Sequence, residues 1–150
     1  MVLTPAEQEA IHAQAVEEYP FESCGVILAR GSERRLLRCR NAQNELHARD
    51  PVRYTRDART AYYIDPKDLL RLTIEADEAD HVFWGIVHSH THTPARPSPT
   101  DIGLAFYPDA LYILVSLSPD EIDPATGMES LRAWRILDGA VYEVGLQLEG

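Results

Sequence analysis

Apolar positions along the chain switch between two rhythms. Ile11, Ala15 and Tyr19 recur at helical spacing after Thr4-Pro5-Ala6-Glu7, which reads as a capping box with proline at N1, and Pro20 ends the run. Residues 25–29 form a short apolar strand, Gly31-Ser32-Glu33 its turn, and residues 34–40 the return strand of a hairpin. Residues 41–60 are polar and irregular, and 61–64 read as a short strand. Asp65-Pro66 starts a second helix, along which Leu69, Leu72, Ala76 and Ala79 trace a buried stripe. Residues 82–88 are almost unbroken apolar, the pattern of a strand covered on both faces. A loop with Pro94 and Pro97 leads to Ser98-Pro99-Thr100-Asp101, a second capping-box start, with a short helix through Ile102, Ala105 and Phe106. Residues 111–117 are another buried strand, and 118–130 a loop rich in acid, proline and glycine. A closing hairpin turns at Asp138-Gly139, after which Tyr142, Val144, Leu146 and Leu148 alternate with polar residues. The order predicts one α/β domain over residues 1–150: a mixed β-sheet flanked by helices.

Composition narrows the function classes. Chain length suits one domain with a core of its own. The formal charge is −10 and the pI about 4.9, which argues against nucleic acid, whose binders need a basic face. One local exception stands out: Arg49, Arg53, Arg56 and Arg59 fall within eleven residues, either as a solvated loop or as a clamp for a carboxylate-bearing substrate. Two cysteines, Cys24 and Cys39, supply neither a disulfide framework nor a paired C-x-x-C zinc knuckle. The apolar runs are too short for a membrane span, and the first residues carry no basic stretch leading into an apolar one. The expectation is a cytoplasmic protein with no membrane partner.

The chemistry concentrates in H-S-H-T-H-T-P-A-R-P-S-P-T-D, residues 88–101. His88 and His90, at i and i+2 of a strand, point to one face and can reach one ion. Asp101, in the first turn of the next helix, supplies an oxygen. Three such ligands with a fourth position open suit a catalytic zinc. Glu22, far upstream in Tyr19-Pro-Phe-Glu-Ser-Cys-Gly25, is the candidate general base, and Ser98 a candidate donor to an oxyanion. Read locally, Ser98 and Asp101 are also simply the N-cap and N3 residues of their helix. Cys24 is expected to pack as a small apolar residue beside the site. His92 is expected in solvent, His12 and His47 on the surface, and His81 at a helix-to-strand junction.

Glu22 followed by His88-Ser89-His90, seven residues, Ser98, two residues and Asp101 resembles the JAMM, or MPN+, metallopeptidases, whose pattern is a distant glutamate with H-[ST]-H-x7-S-x-x-D. The resemblance implies Zn2+ on His88, His90 and Asp101, acid–base work by Glu22 and oxyanion support from Ser98. It implies cleavage at the C-terminal glycines of a ubiquitin-like protein. The P-x-E-x-C-G segment, the compact length and Thr91 after the second histidine look like the small prokaryotic branch, which includes enzymes that clip cysteine from a sulfur-carrier protein. The alternative is the same fold as a catalytically silent scaffold. A zinc deaminase would need H-x-E with P-C-x-x-C, and neither occurs. A DNA-repair accessory domain is disfavoured by the acidic balance.

Overall fold

The first helix begins where its capping chemistry dictates. Thr4 Oγ1 accepts from Glu7 N–H at 3.1 Å, Glu7 Oε1 accepts from Thr4 N–H at 2.9 Å, and Pro5 opens the helix. In this computed structural model, which describes residues 2–121 and 130–148, the elements run β1 (Val2–Leu3), α1 (Pro5–Glu18), β2 (Cys24–Arg30), β3 (Glu33–Cys39), α2 (Gln43–Arg49), α3 (Pro66–Glu78), β4 (Val82–His90), α4 (Pro99–Gly103), β5 (Leu111–Ser116), β6 (Ser130–Leu137), β7 (Ala140–Val144) and β8 (Gln147–Leu148). A 3-10 turn spans Pro119–Glu121; the rest of the acidic loop expected at 118–130 lies largely outside the described residues.

Six strands form one mixed sheet in the order β3-β2-β4-β5-β6-β7, with β4 and β5 parallel and the other neighbours antiparallel. The predicted α/β architecture is the observed one. Residues of opposite parity feed two cores, as the two-residue strand period requires. On one face Ile27, Val87 and Ile113 pack under α1 with Ile11 and Ala15. On the other, Val26, Leu28, Ile86 and Leu114 pack with Tyr62 and with Leu72 and Ala76 of α3. β2 comes so close to β3 that a Cβ at Gly25 would lie 2.8 Å from Leu37 O, so only glycine fits there. The last hairpin turns on Asp138 and Gly139 at φ 49° and 80°, the left-handed pair of a type I′ turn.

Several expectations are corrected. Residues 41–60 are not wholly irregular, because α2 forms there without an apolar stripe: Asn41 Oδ1 accepts from Gln43 N–H, and Gln43 Nε2 donates to Arg56 O. Residues 61–64 form no strand; a single bridge joins Asn41 to Ile64, and Ala61 and Tyr62 turn inward instead. Tyr19 is half exposed at the end of α1 rather than part of its buried face. α4 stops at Gly103, which leaves Phe106 exposed. His12 and His47 are half-buried, and His47 Nδ1 lies 2.7 Å from Tyr54 O. The terminal segment that alternates after Val144 leaves the hairpin and pairs in parallel with β1. No helix among the described residues is long and apolar enough to cross a membrane.

Candidate active site

β4 carries His88 and His90 to the end of the central parallel pair, where crossover connections open a crevice beyond the strand tips. Both imidazoles point to the α3 side, as their shared parity with Ile86 requires. The connection to β5 turns through α4, whose capping box repeats that of α1: Ser98 Oγ accepts from Asp101 N–H at 3.1 Å, and Asp101 Oδ2 accepts from Ser98 N–H at 2.9 Å. The same Oδ2 lies 3.1 Å from His88 Nε2 and 3.0 Å from His90 Nε2, and the two nitrogens are 3.3 Å apart. The Asp101 oxygen that caps α4 is therefore also the one that contacts both imidazoles.

Glu22 reaches this group from just before β2. Cys24 is opposite His88 across the β2–β4 ladder, so Glu22, two residues earlier, comes in beside the strand end. Two hydrogen bonds set that position: Ser23 N–H donates to Ser89 Oγ at 2.8 Å, and Ser89 N–H donates to Ser23 O at 3.1 Å. The serine between the histidines thus points to the other face of β4 and fastens the segment that bears the glutamate. On its far side Glu22 N–H donates to Ala58 O at 2.7 Å. Ligand atoms of Glu22, His88, His90 and Asp101 all fall within 4.8 Å of one another, and all four residues are buried. Sequence reading named each of them, and the fold brings them together from three separate segments.

The donor set fits a divalent cation. Pro94 O can only accept, so His90 Nδ1, 2.7 Å away, donates to it, which turns Nε2 toward the site. His90 Nε2 lies 3.0 Å from the Asp101 oxygen, a separation that a shared proton or cation bridges. Zinc bonds of about 2.1 Å at tetrahedral angles separate neighbouring ligand atoms by roughly 3.4 Å, close to the contacts among the three groups. Burial pushes His88 below the ordinary imidazole pKa, which keeps it a neutral ligand. Burial alone would raise Asp101, but His88 and His90, by charge when protonated and by hydrogen bonding, outweigh it and hold the carboxyl well below the usual range. Glu22 behaves oppositely: burial first, then the Asp101 charge, push its pKa up to about 9, while Arg56 pulls it down. Its Oε1 is buried with no hydrogen-bond partner.

Neighbours complete the picture. The Tyr62 ring stacks on His88 at 4.1 Å between centroids, holding the imidazole plane from below. Nothing in the sequence marks that role beyond an apolar tyrosine in a segment expected to be a strand. Cys24 is buried in the core beside His88 with its thiol toward Cys39 O, and it is not in the four-residue group. His92 is exposed, with Nε2 3.2 Å from the Tyr19 hydroxyl. Solvent reaches the group through a cavity of about 380 Å³ whose lining includes Glu22, His90, Ser98, Arg56, Arg59 and Arg96. Two of the clustered arginines, Arg56 and Arg59, are therefore at the mouth. Arg53 instead lies over the Tyr54 ring, and Arg49 ends α2. Arg96, from the motif loop itself, joins them unannounced by the sequence cluster.

The domain family described as prokaryotic homologs of the JAB domain matches residues 4–137. A CysO-cysteine peptidase of Mycobacterium tuberculosis is 38% identical over 135 residues, spanning 89% of this chain and 81% of that protein. A desampylase of Pyrococcus furiosus is 29% identical over 104 residues, 69% of this chain and 65% of its own length. Among solved structures, a protein of Desulfitobacterium hafniense superposes with a TM-score of 0.71 at 25% identity, over 99% of this chain and 93% of that one. A JAB1/MPN domain protein of Archaeoglobus fulgidus does so with 0.56 at 17%, over 99% and 98%, a likeness of fold alone. With the family match over most of its length and a relative at 38% identity, the chain belongs to the prokaryotic JAMM/MPN family.

Proposed function

We propose that the protein is a zinc-dependent metallopeptidase that hydrolyses the bond following the C-terminal Gly-Gly tail of a ubiquitin-like or sulfur-carrier protein, releasing cysteine or another amine. The observation that carries this reading is the buried convergence of Glu22, His88, His90 and Asp101 at the foot of an open cavity. The relatives named a CysO-cysteine peptidase and a desampylase support the same substrate class.

His88 Nε2, His90 Nε2 and Asp101 Oδ2 would hold the ion. Zinc bound there lowers the pKa of water toward neutrality and polarises a carbonyl. Glu22, buried and close to these groups, takes the proton from the attacking water and returns it to the departing amine. Ser98 Oγ already accepts from Asp101 N–H, so its own proton is free to stabilise a carbonyl oxygen that gains charge. Pro94 O fixes the His90 tautomer, and Tyr62 fixes the His88 plane.

Incubation of the zinc-loaded protein with carrier–cysteine and carrier–lysine adducts, with and without a chelator, tests this by mass spectrometry. Release of the intact Gly-Gly carrier that the chelator stops and added zinc restores is expected. Metal retention without cleavage of either adduct would turn the reading to the silent scaffold.

A further inference from the structure

The mouth of the site carries positive charge that other parts of the molecule neutralise. In a chain of net charge −10, many arginines elsewhere find carboxylates, among them Arg34 with Glu7, Arg35 with Glu75 and Arg132 with Glu143, while Arg49, Arg53 and Arg135 lie outside the cavity lining. Arg59 at the mouth is likewise tied to Asp57. Arg56 and Arg96 are different. Both line the cavity above Glu22 and His90, and neither forms an ion pair among the described residues. Arg96 lies 5.6 Å over the Trp134 ring, whose indole N–H in turn holds Ala95 O at 2.9 Å. Stacking orients that guanidinium while leaving its fork of N–H donors unspent.

The loop that presents Arg56 is not a loose one. Gln43 Nε2 donates to Arg56 O, Asn44 Oδ1 accepts from Ala58 N–H, Glu22 N–H donates to Ala58 O, and Thr91 Oγ1 donates to Arg59 O. The backbone under these side chains is thus fastened to α2, to the glutamate and to the motif loop at once. Two cations from separate segments thus line one opening together with the carboxyl of Glu22.

We propose that Arg56 and Arg96 bind the free α-carboxylate of the residue that departs, so that the site selects a single C-terminal amino acid in peptide linkage over a lysine in isopeptide linkage. The inference rests on the peptidase reading above and adds its leaving-group specificity. Hydrolysis places the water oxygen on the glycine carbonyl, breaks the C–N bond and returns the nitrogen as an amine. In a terminal peptide bond the carboxylate sits one carbon from that nitrogen and leaves with it, within reach of groups lining the same cavity. In an isopeptide the nitrogen ends a long aliphatic arm, and the lysine's own carboxyl is already joined to the next residue.

The test compares the zinc-loaded protein on carrier tails ending in Gly-Gly-Cys as the free acid, as the amide, and in Gly-Gly-Asp as the amide. The free acid is expected to be cleaved with kcat/KM at least tenfold above the Cys amide, expressed in KM, as loss of a charge-assisted pair implies. In Arg56→Gln/Arg96→Gln the acid-to-amide ratio should fall toward one. Equal cleavage of acid and amide by the unaltered protein would overturn the proposal while leaving the peptidase reading intact. Cleavage of the Asp amide as fast as the free acid would also overturn it, by assigning the contact to an acidic side chain. If no tail is cleaved, the peptidase reading falls, and calorimetric titration of acid and amide peptides decides the carboxylate site alone. Tighter binding of the acid, lost in the double variant, sustains it; equal binding removes it.

Discussion

Two helix starts in this molecule are built alike and do different things. At α1, Thr4 and Glu7 exchange backbone hydrogen bonds of 3.1 and 2.9 Å; at α4, Ser98 and Asp101 do the same at 3.1 and 2.9 Å. Proline follows the cap in both. What differs is the company of the N3 carboxylate. Glu7 Oε1 receives the Arg34 guanidinium at 2.6 Å in a partly exposed setting, a structural tie between helix and sheet edge. Asp101 Oδ2 is buried against two imidazoles at a strand tip. The shorter aspartate also keeps its carboxylate close to the backbone, where the capping bond fixes its direction for the other partners. The local signal therefore identifies a helix start, and only the fold decides whether its acid caps or also binds.

The largest contrast comes from removing each acid. Asp101→Ala should lose bound metal, read by elemental analysis, and with it about a thousandfold or more in turnover. Glu7→Gln should lower stability by about 1 kcal/mol in denaturant titration and leave activity as it is. Normal zinc content in Asp101→Ala would end the distinction between the two boxes.

Glu22 sharpens the point that burial, not residue type, sets the role of an acid. Glu22→Gln should keep the metal and lose roughly 10²–10⁴ in kcat. The metal-free protein offers a pH signature. A carboxyl raised from about 4.5 to about 9 in the folded state contributes stability that is complete below pH 4.5 and fades as pH rises through 9. Metal-free Glu22→Gln should therefore gain on metal-free wild type between pH 5 and pH 9, by on the order of a few kcal/mol at the upper end. A stability difference that stays flat across that range would mean that Glu22 is not held protonated.

The smallest contrast is between the caps. Thr4→Ala and Ser98→Ala should each cost about 1 kcal/mol, measured by thermal unfolding. Ser98→Ala alone should also lower kcat, by about a hundredfold if its hydroxyl stabilises the oxyanion. Equal activity in the two variants would leave Ser98 as a cap and nothing more.

Much of this was legible because it is local. Both capping boxes, the i, i+2 histidines and the Asp138-Gly139 turn follow from a few adjacent residues, and each is where the sequence puts it. Elements held by distant polar contacts were not. α2 has a non-polar N-cap, Ala42, with no side-chain capping bond, and is fastened by Asn41 and Gln43 to other segments, so no periodicity announces it. Tyr62 carries strand-like neighbours, yet its apolarity serves the packing of His88. Arg96 lies outside the arginine cluster in sequence, and only the fold brings it into the lining of the cavity that Arg56 shares. Residues 41–64, the least legible stretch, supply part of the cavity lining, and the bonds that tie them to the site run to distant partners: Asn41 Nδ2 donates to Glu22 O, Glu22 N–H to Ala58 O, and Thr91 Oγ1 to Arg59 O.

Ser89 has a wider implication. Glu22, the proposed base, and the proposed ligands His88 and His90 are separated by most of the first half of the chain, yet their spacing is stored in a reciprocal pair of bonds between Ser23 and Ser89 across one strand ladder. Chain inserted into the outer hairpin tip at Gly31 would lengthen the path between them without altering that pair. Evolution is thereby free to add or trim peripheral loops around a fixed reaction centre, provided position 89 keeps a small hydroxyl residue.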